Sequence, residues 1–463
     1  MTPFDMSPEE FRRHGHAVVD WIAGYLENTR DYPVLARIQP GDLASALPPS
    51  APDQGEPMEA ILADFQRQIL PAVTHWNHPG FHAYFSVSAS APGILGEMLA
   101  AALNVNSMVW LSCPASVELE AVVMSWLRQW IGLPESFFGM IHDTASVSTL
   151  HAIAAARAVA DPGIRQIGAA RGLVVYTSEH AHSSVEKGAL SLGIGRDHVR
   201  KIGVDAQYRM DPALLRQAIA ADLTNGLKPC CVVSTTGTTS VASVDPVAAI
   251  QDIADEFKLW HHIDAAYGGP AAILPERRWI LDGAERADSL VINPHKWLFT
   301  PMDFSGFYCR RPDILRQAFA LVPEYLKTSQ DNVATNLMDY GIPLGRRFRA
   351  LKLWFVMRYF GREKVQSILR AHIEWAAELR SLIEADPRFE IAAPTLFSLV
   401  CFRLKSGDDA TRALLEAINA SGKSFVSGNV LDGRFVIRYA IGNIGTTRED
   451  ILGDWSLLQS LAG

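Results

Sequence analysis

Between about residue 91 and residue 310 the chain alternates short β-rich runs with helical stretches, and this alternation restricts the fold more than any other feature. The strand candidates are 173–177, 230–235, 259–264, 289–293 and 304–309, with helical patterns such as 212–223 and 247–257 between them. Parallel neighbours cannot be joined by a tight turn and need a crossover, usually a helix, so the pattern predicts an α/β domain built on a mainly parallel sheet. Such a sheet receives ligands beyond the C-terminal ends of its strands. Residues just past those ends are therefore the first place to look for chemistry.

The flanks read differently. Phe11, Val18, Val19, Ile22 and Leu26 recur near helical spacing, and Ser7 with Glu10 forms a capping box, which predicts an amphipathic helix over 8–28. Residues 40–57, including Pro48-Pro49-Ser50-Ala51-Pro52, are too rich in Pro to sustain helix or strand and read as an arm crossing a surface. An apolar stripe followed by such an arm suits wrapping around a second subunit. Beyond residue 343, helical stretches (345–359, 362–384), a strand (398–404), a helix (411–420), a strand (435–440) and a last helix predict a smaller α+β unit. The expected division is a helical arm over 1–90, a large ligand-binding α/β domain over 91–342 and a small C-terminal α+β domain over 343–463.

Composition narrows the function classes. With 48% hydrophobic and 20% charged residues, the chain can bury a sizeable core. A net charge of −8 provides no positive field for a phosphate backbone, so nucleic acid is not an expected partner. The most apolar stretch, 93–110, is interrupted by Glu97, Asn104 and Asn106, so no membrane span is expected. Neither a secretory leader nor a C-x-x-C pair is apparent, and the five scattered cysteines suit a reducing, cytoplasmic setting. His75, His78 and His82 are near one another, but Pro79-Gly80 breaks any helix that would align them, and no metal site is expected.

The densest chemistry lies in Asn293-Pro294-His295-Lys296-Trp297. Most lysines sit on solvated surfaces, but an amine at a strand end among apolar residues loses basicity by desolvation and becomes able to condense with a carbonyl cofactor. Upstream, the apolar run ending at Asp264 is followed by Ala265-Ala266-Tyr267-Gly268-Gly269. A carboxylate there would hold a pyridine nitrogen protonated, as pyridoxal phosphate requires, and Ala266 would leave room for its flat ring. Thr144-Ala145-Ser146 opens an alanine-rich helix, where backbone N–H groups and hydroxyls can receive a phosphate. His180-Ala181-His182 and Thr235-Thr236-Gly237-Thr238-Thr239 each follow a further strand. Any one of these loops would mean little, since hydroxyls cap ordinary helices and carboxylates cap ordinary turns.

With those residues in order, the chain resembles the aromatic L-amino acid decarboxylase family, the pyridoxal-phosphate group that includes histidine, tyrosine and tryptophan decarboxylases. Glu10-Phe11-Arg12-Arg13-His14-Gly15, Thr74-His75-Trp76, Ala83-Tyr84-Phe85, Ser116-Val117-Glu118-Leu119-Glu120, Ala181-His182-Ser183-Ser184-Val185, the Asp264 and Lys296 motifs, Ile342-Pro343-Leu344-Gly345-Arg346-Arg347-Phe348-Arg349 and Leu399-Val400-Cys401-Phe402-Arg403-Leu404 carry the resemblance along nearly the whole chain. It implies an aspartate-aminotransferase-like fold of type I and a homodimer with active sites at the interface. It also implies that Lys296 carries the Schiff base, Asp264 pairs with the pyridine nitrogen and His182 stacks on the ring. Ala145 and Ser146 would bind the phosphate, with Thr239, Ala266, Asn293 and His295 beside the cofactor. Trp76, Tyr84, Phe85 and Met108 would line the substrate pocket, and Tyr325 would help protonate the α-carbon.

Five positions depart from the family pattern: Ser86 and Val87 replace Pro and Thr, Met108 an aromatic residue, Asp143 a glycine and Val147 a glutamate. The expected reaction is decarboxylation of an L-amino acid, with aromatic ones the expected substrates, to an amine and carbon dioxide. The alternative on the same scaffold is oxidative deamination to an aldehyde. A transaminase or a non-catalytic protein are the rivals from other classes. Which amino acid is used stays open.

Overall fold

The computed structural model describes residues 5–168, 171–321 and 334–463. Seven strands, β1 (Phe138–His142), β2 (Leu173–Ser178), β3 (Val199–Ile202), β4 (Lys228–Thr235), β5 (Trp260–Asp264), β6 (Ser289–Ile292) and β7 (Ser305–Cys309), form one sheet in the order β1-β7-β6-β5-β4-β2-β3. β3, β2, β4, β5 and β6 pair in parallel, and β7 runs antiparallel between β6 and β1. Every residue of β2, β5 and β6 is buried, because helices cover both faces of the sheet. All five expected strands are present. β1 and β3, at the two edges, were not expected.

The helix Ala145–Ala160 runs against the centre of the sheet with Ala152, Ile153, Ala154, Ala155 and Ala156 buried. Its run of small side chains lets the helix lie close to the strands. Pro212–Thr224 starts with Asp211 accepting the N–H groups of Ala213 and Leu214, an N-cap that satisfies two donors the helix itself leaves unpaired. Val247–Phe257 has the bounds its periodicity predicts.

A second sheet, β8 (Phe389–Ile391), β9 (Leu399–Leu404), β10 (Ser427–Leu431) and β11 (Arg434–Ala440), is antiparallel throughout in the order β10-β11-β9-β8. Val400, Phe402, Ile437 and Tyr439 pack there against Ile418, Trp455 and the end of the long helix Ala350–Ala385. The sequence suggests two helices with a break near residue 360, and the break is Gly361, at φ 64° and ψ 172°. Glycine adopts that φ without the Cβ clash other residues incur.

The N-terminal helix Pro8–Glu27 is capped as expected, with Glu10 N–H donating to Ser7 Oγ and Ser7 N–H donating to the Glu10 carboxylate. It buries no residue within this chain, and Phe11 is 65% exposed. The 40–57 arm lies on the surface, but it holds one short helix, Asp42–Ala46, preceded by Gly41 at φ 96°. Asp42 begins that turn with its carboxylate near the helix N-terminus, a local preference that outweighs the surrounding prolines. Among the described residues, no helix is long and apolar enough to cross a membrane.

Candidate active site

Five loops at the C-terminal ends of the large sheet converge on one cavity of about 170 Å³. β1 leads into Thr144, Ala145 and Ser146; β2 into His182; β4 into Thr235, Gly237 and Thr239; β5 into Asp264, Ala266 and Tyr267; β6 into Asn293, His295 and Lys296. Phe85 closes one wall.

Each loop is held by its own backbone bonding. Thr236 donates its N–H to Asp264 O at 2.8 Å and accepts the Gly268 N–H at 3.1 Å, which ties the β4 and β5 loops together. Gly237 is at φ +90°, and a Cβ there would lie 2.8 Å from Gly268 N, so only glycine allows this approach. Beneath the turn, Asp245 accepts the N–H groups of Thr235 and Met210, both at 2.7 Å. Burial pushes the Asp245 carboxyl up to about 7, opposed by those two hydrogen bonds. Lys296 sits on the single turn Pro294–Trp297 that follows β6, its N–H donating to Asn293 O at 2.9 Å.

Lys296 Nζ lies 5.4 Å from the Phe85 ring centroid, and that ring stacks on Tyr267 with centroids 3.6 Å apart. Tyr267 in turn stacks on Trp297, and its hydroxyl meets Ser398 Oγ at 2.9 Å, which links the cavity wall to the smaller sheet. From that sheet Arg438 reaches in, its guanidinium 5.3 Å from the Phe85 centroid and donating to Thr239 O at 2.8 Å and Ser240 O at 2.9 Å. Burial lowers the Lys296 pKa, with Asp264 opposing the shift and Arg438 adding to it. The His182 pKa is also lowered by burial, with Asp264 opposing and Lys296 reinforcing, and its Nδ1 accepts the Ser184 N–H at 3.1 Å. Burial pushes His295 down to about 3, so its imidazole is neutral, and its Nδ1 accepts the Phe304 N–H at 3.0 Å.

The donor set fits pyridoxal phosphate. Asn293 Oδ1 and Thr235 Oγ1 are buried polar atoms with no hydrogen-bond partner among the described residues, which a native interior rarely leaves unexplained. The first N–H groups of the helix Ala145–Ala160 have no partner within that helix and face an anion favourably. Asp143 accepts the Thr144 N–H at 2.6 Å, so the donors available to a phosphate begin at Ala145. An amine, a carboxylate and an imidazole around one cavity complete the set.

The structure thus brings together Phe85, Ala145, Ser146, His182, Thr239, Asp264, Ala266, Asn293, His295 and Lys296. Trp76, Tyr84 and Met108 do not line this cavity. Trp76 and Tyr84 stack on each other outside it, with centroids 5.8 Å apart, and Tyr84 N–H donates to Ser427 Oγ, which also accepts from Arg438. Met108 packs beside Val109 and Met338. Tyr325 lies outside the described residues. His75, His78 and His82 turn to separate partners: the Tyr25 hydroxyl, the Gly80 N–H, and Ala440 O with Asp454. Sequence reasoning gave no role to Arg438, which packs against the Phe85 wall, and did not assign Thr144, Thr235, Gly237 and Tyr267 individually as site residues. The signal for Arg438 was a charge inside the otherwise apolar run Phe435-Val436-Ile437-Arg438-Tyr439-Ala440.

Residues 40–405 match the pyridoxal-dependent decarboxylase conserved domain. The chain is 41% identical to a phenylacetaldehyde synthase of Arabidopsis thaliana, covering 99% of this chain and 96% of that protein. It is likewise 41% identical to tyrosine decarboxylase 4 of Petroselinum crispum, covering 99% and 94%. The crystal structure of the Oryza sativa TDC with PLP and tryptamine superposes with a TM-score of 0.96 at 36% identity, covering 100% of this chain and 99% of that one. The cavity and these likenesses agree: the chain belongs to the pyridoxal-dependent decarboxylase family and is a pyridoxal-phosphate-dependent amino acid carboxy-lyase of the type I fold.

Proposed function

We propose that this enzyme decarboxylates an aromatic L-amino acid to its amine and carbon dioxide, with Lys296, Asp264 and His182 as the core of the site. The observation that carries the reading is the convergence of those three side chains, from three different loops, on one cavity. Tyrosine decarboxylase 4 of Petroselinum crispum supports an aromatic substrate by its 41% identity over nearly the full chain.

Pyridoxal phosphate, when bound, supplies an electron sink conjugated to the substrate's α-carbon. Lys296 would hold the cofactor through its amine, whose basicity burial lowers. Asp264 would favour the protonated form of the cofactor's ring nitrogen. His182 would pack against the cofactor, and Ala145 and Ser146 would hold its phosphate at the helix start. Thr239, Ala266, Asn293 and His295 would contact the cofactor from the cavity wall. Phe85 forms the cavity wall for the substrate side chain, with Trp76, Tyr84 and Met108 completing the pocket in the assembled enzyme. Tyr325 delivers a proton to the α-carbon after carbon dioxide leaves.

The assembly is a homodimer with active sites at the interface. The uncovered apolar stripe of the N-terminal helix, with Phe11 65% and Val19 42% exposed, supports a partner surface. Five unpaired cysteines support a cytoplasmic setting. Two separate sheets, one ending at Cys309 and the other beginning at Phe389, support a large domain over 91–342 and a small one over 343–463, with the arm over 1–90.

One second reading has a specific observation behind it, the 41% identity to a phenylacetaldehyde synthase. In that reaction the amino acid, dioxygen and water give the aldehyde, carbon dioxide, ammonia and hydrogen peroxide. A screen of carbon dioxide release across the twenty amino acids and hydroxylated aromatic ones tests the substrate class. Simultaneous oxygen and ammonia assays separate the two chemistries: stoichiometric peroxide rejects simple decarboxylation, and amine without oxygen uptake supports it.

A further inference from the structure

A second cavity, of about 520 Å³, lies between the C-terminal half of the helix Ala145–Ala160, residues 162–166 and the helix Pro312–Phe319. It shares no lining residue with the Lys296 cavity. From Ala145 to Arg157 the intervening helix spans about 18 Å at 1.5 Å per residue. We propose that this cavity binds an organic carboxylate with an apolar body.

The charge balance of its walls supports this site. Arg157, Arg165 and Arg311 line the cavity, and no Asp or Glu does among the described residues. Arg157 donates to Leu192 O at 2.8 Å, and Arg165 donates to Gln317 O at 2.6 Å and to Ala320 O. Carbonyls satisfy N–H groups without cancelling their charge. Arg311 does meet a carboxylate, Asp288 at 3.2 Å, but Arg310 approaches the same carboxylate at 3.8 Å. One anion therefore serves two cations, and the cavity keeps a positive excess in a chain whose net charge is −8. Arg157 Nε is also buried without a hydrogen-bond partner among the described residues, a donor that native interiors seldom leave idle.

The remaining wall selects among anions. Val159, Ile164, Ile314 and Phe319 present apolar surface beside the guanidinium groups. A planar guanidinium fork matches a carboxylate through two parallel hydrogen bonds. The volume falls within the range of small-molecule pockets, and apolar walls with a few charged groups are their usual construction. A free inorganic anion would satisfy the arginines but leave that surface wet.

The test uses the holoenzyme and 4-fluorophenylacetate, which has no amine to displace Lys296 and reports by fluorine NMR. Saturable binding is expected. In Arg157→Met/Arg165→Met the affinity should fall about tenfold or more, the size of a lost charge-assisted hydrogen bond. Decarboxylation kinetics of that variant should match the parent, since neither arginine touches the Lys296 cavity. Gln317→Glu, which sets a carboxylate beside Arg165 and changes no arginine, should weaken binding in the same direction and keeps the test decisive if the double variant misfolds. Three results overturn the proposal: no saturable binding to the parent, binding unchanged in both variants, or inorganic phosphate displacing the probe at equal concentration.

Discussion

Glu120→Gln is the substitution whose cost the structure sets most clearly. Glu120 and Arg346 are 2% and 5% exposed, and Arg346 Nη2 donates to Glu120 Oε1 at 2.6 Å. The same carboxylate oxygen accepts the Ile141 N–H at 2.8 Å, and the same Arg346 nitrogen donates to Ile141 O at 3.0 Å. The pair therefore clamps the end of β1, one residue before the loop that leads to Ala145 and Ser146. Burial pushes the Glu120 carboxyl above the ordinary carboxylate range, with Arg346 and the Ile141 N–H pulling it back. Glutamine keeps an oxygen for the Ile141 N–H, so the substitution removes mainly the charge and strands a buried guanidinium. Breaking one side of such a pair costs about 3–5 kcal/mol.

For 463 residues the unfolding entropy is about 1 kcal/mol per degree, so Tm should fall by about 3–5 °C if the chain unfolds in one transition. The assay is thermal and urea unfolding of parent and variant at one saturating pyridoxal phosphate concentration, because ligand binding itself raises stability. Replacing both residues, Glu120→Leu with Arg346→Met, should recover most of the loss, since apolar substitutes avoid the desolvation cost of two ions. A single variant within about 1 kcal/mol of the parent, or a double variant less stable than the single one, would refute this reasoning.

Further outcomes follow from the site. Tyr325→Phe should slow amine formation about 10²-fold or more, as loss of a positioned proton donor does, and divert product toward aldehyde; an unchanged product ratio by chromatography removes Tyr325 from the chemistry. Asp264→Asn should leave Lys296 able to hold the cofactor yet cut kcat about 100-fold or more; kcat within a fewfold of the parent contradicts its electrostatic role. Asp245 has its carboxyl raised from 3.8 to about 7, so its contribution to stability is complete below the unfolded value and is lost as pH rises toward 7. That loss is on the order of 4 kcal/mol, and Asp245→Asn should flatten the stability curve between pH 4 and pH 7; parallel curves from urea unfolding would show that another group titrates there.

Central strands were legible because burial on both faces writes itself as a continuous apolar run, as in Ser289–Ile292. Edge strands were not. Val199–Ile202 has four residues, two of them charged, and Phe138–His142 includes a glycine, so neither shows a period that separates it from loop. The cavity loops were readable for a related reason: a reactive side chain just past an apolar run stands out against it. Arg438 was not, because its partners, Thr239 and Ser240, are nearly two hundred residues away and are engaged through backbone carbonyls. Glu120 and Arg346 likewise belong to separate motif blocks, and only the fold reveals that they meet. The distinction between Phe85, on the cavity wall, and Tyr84, beside it at φ 55°, depends on one turn of backbone.

The central claim concerns one amine. Borohydride reduction of freshly purified enzyme saturated with pyridoxal phosphate, followed by peptide mapping, should place the reduced cofactor on Lys296, and Lys296→Ala should carry none and turn over no substrate. A label on another lysine, or none on Lys296, would contradict the account.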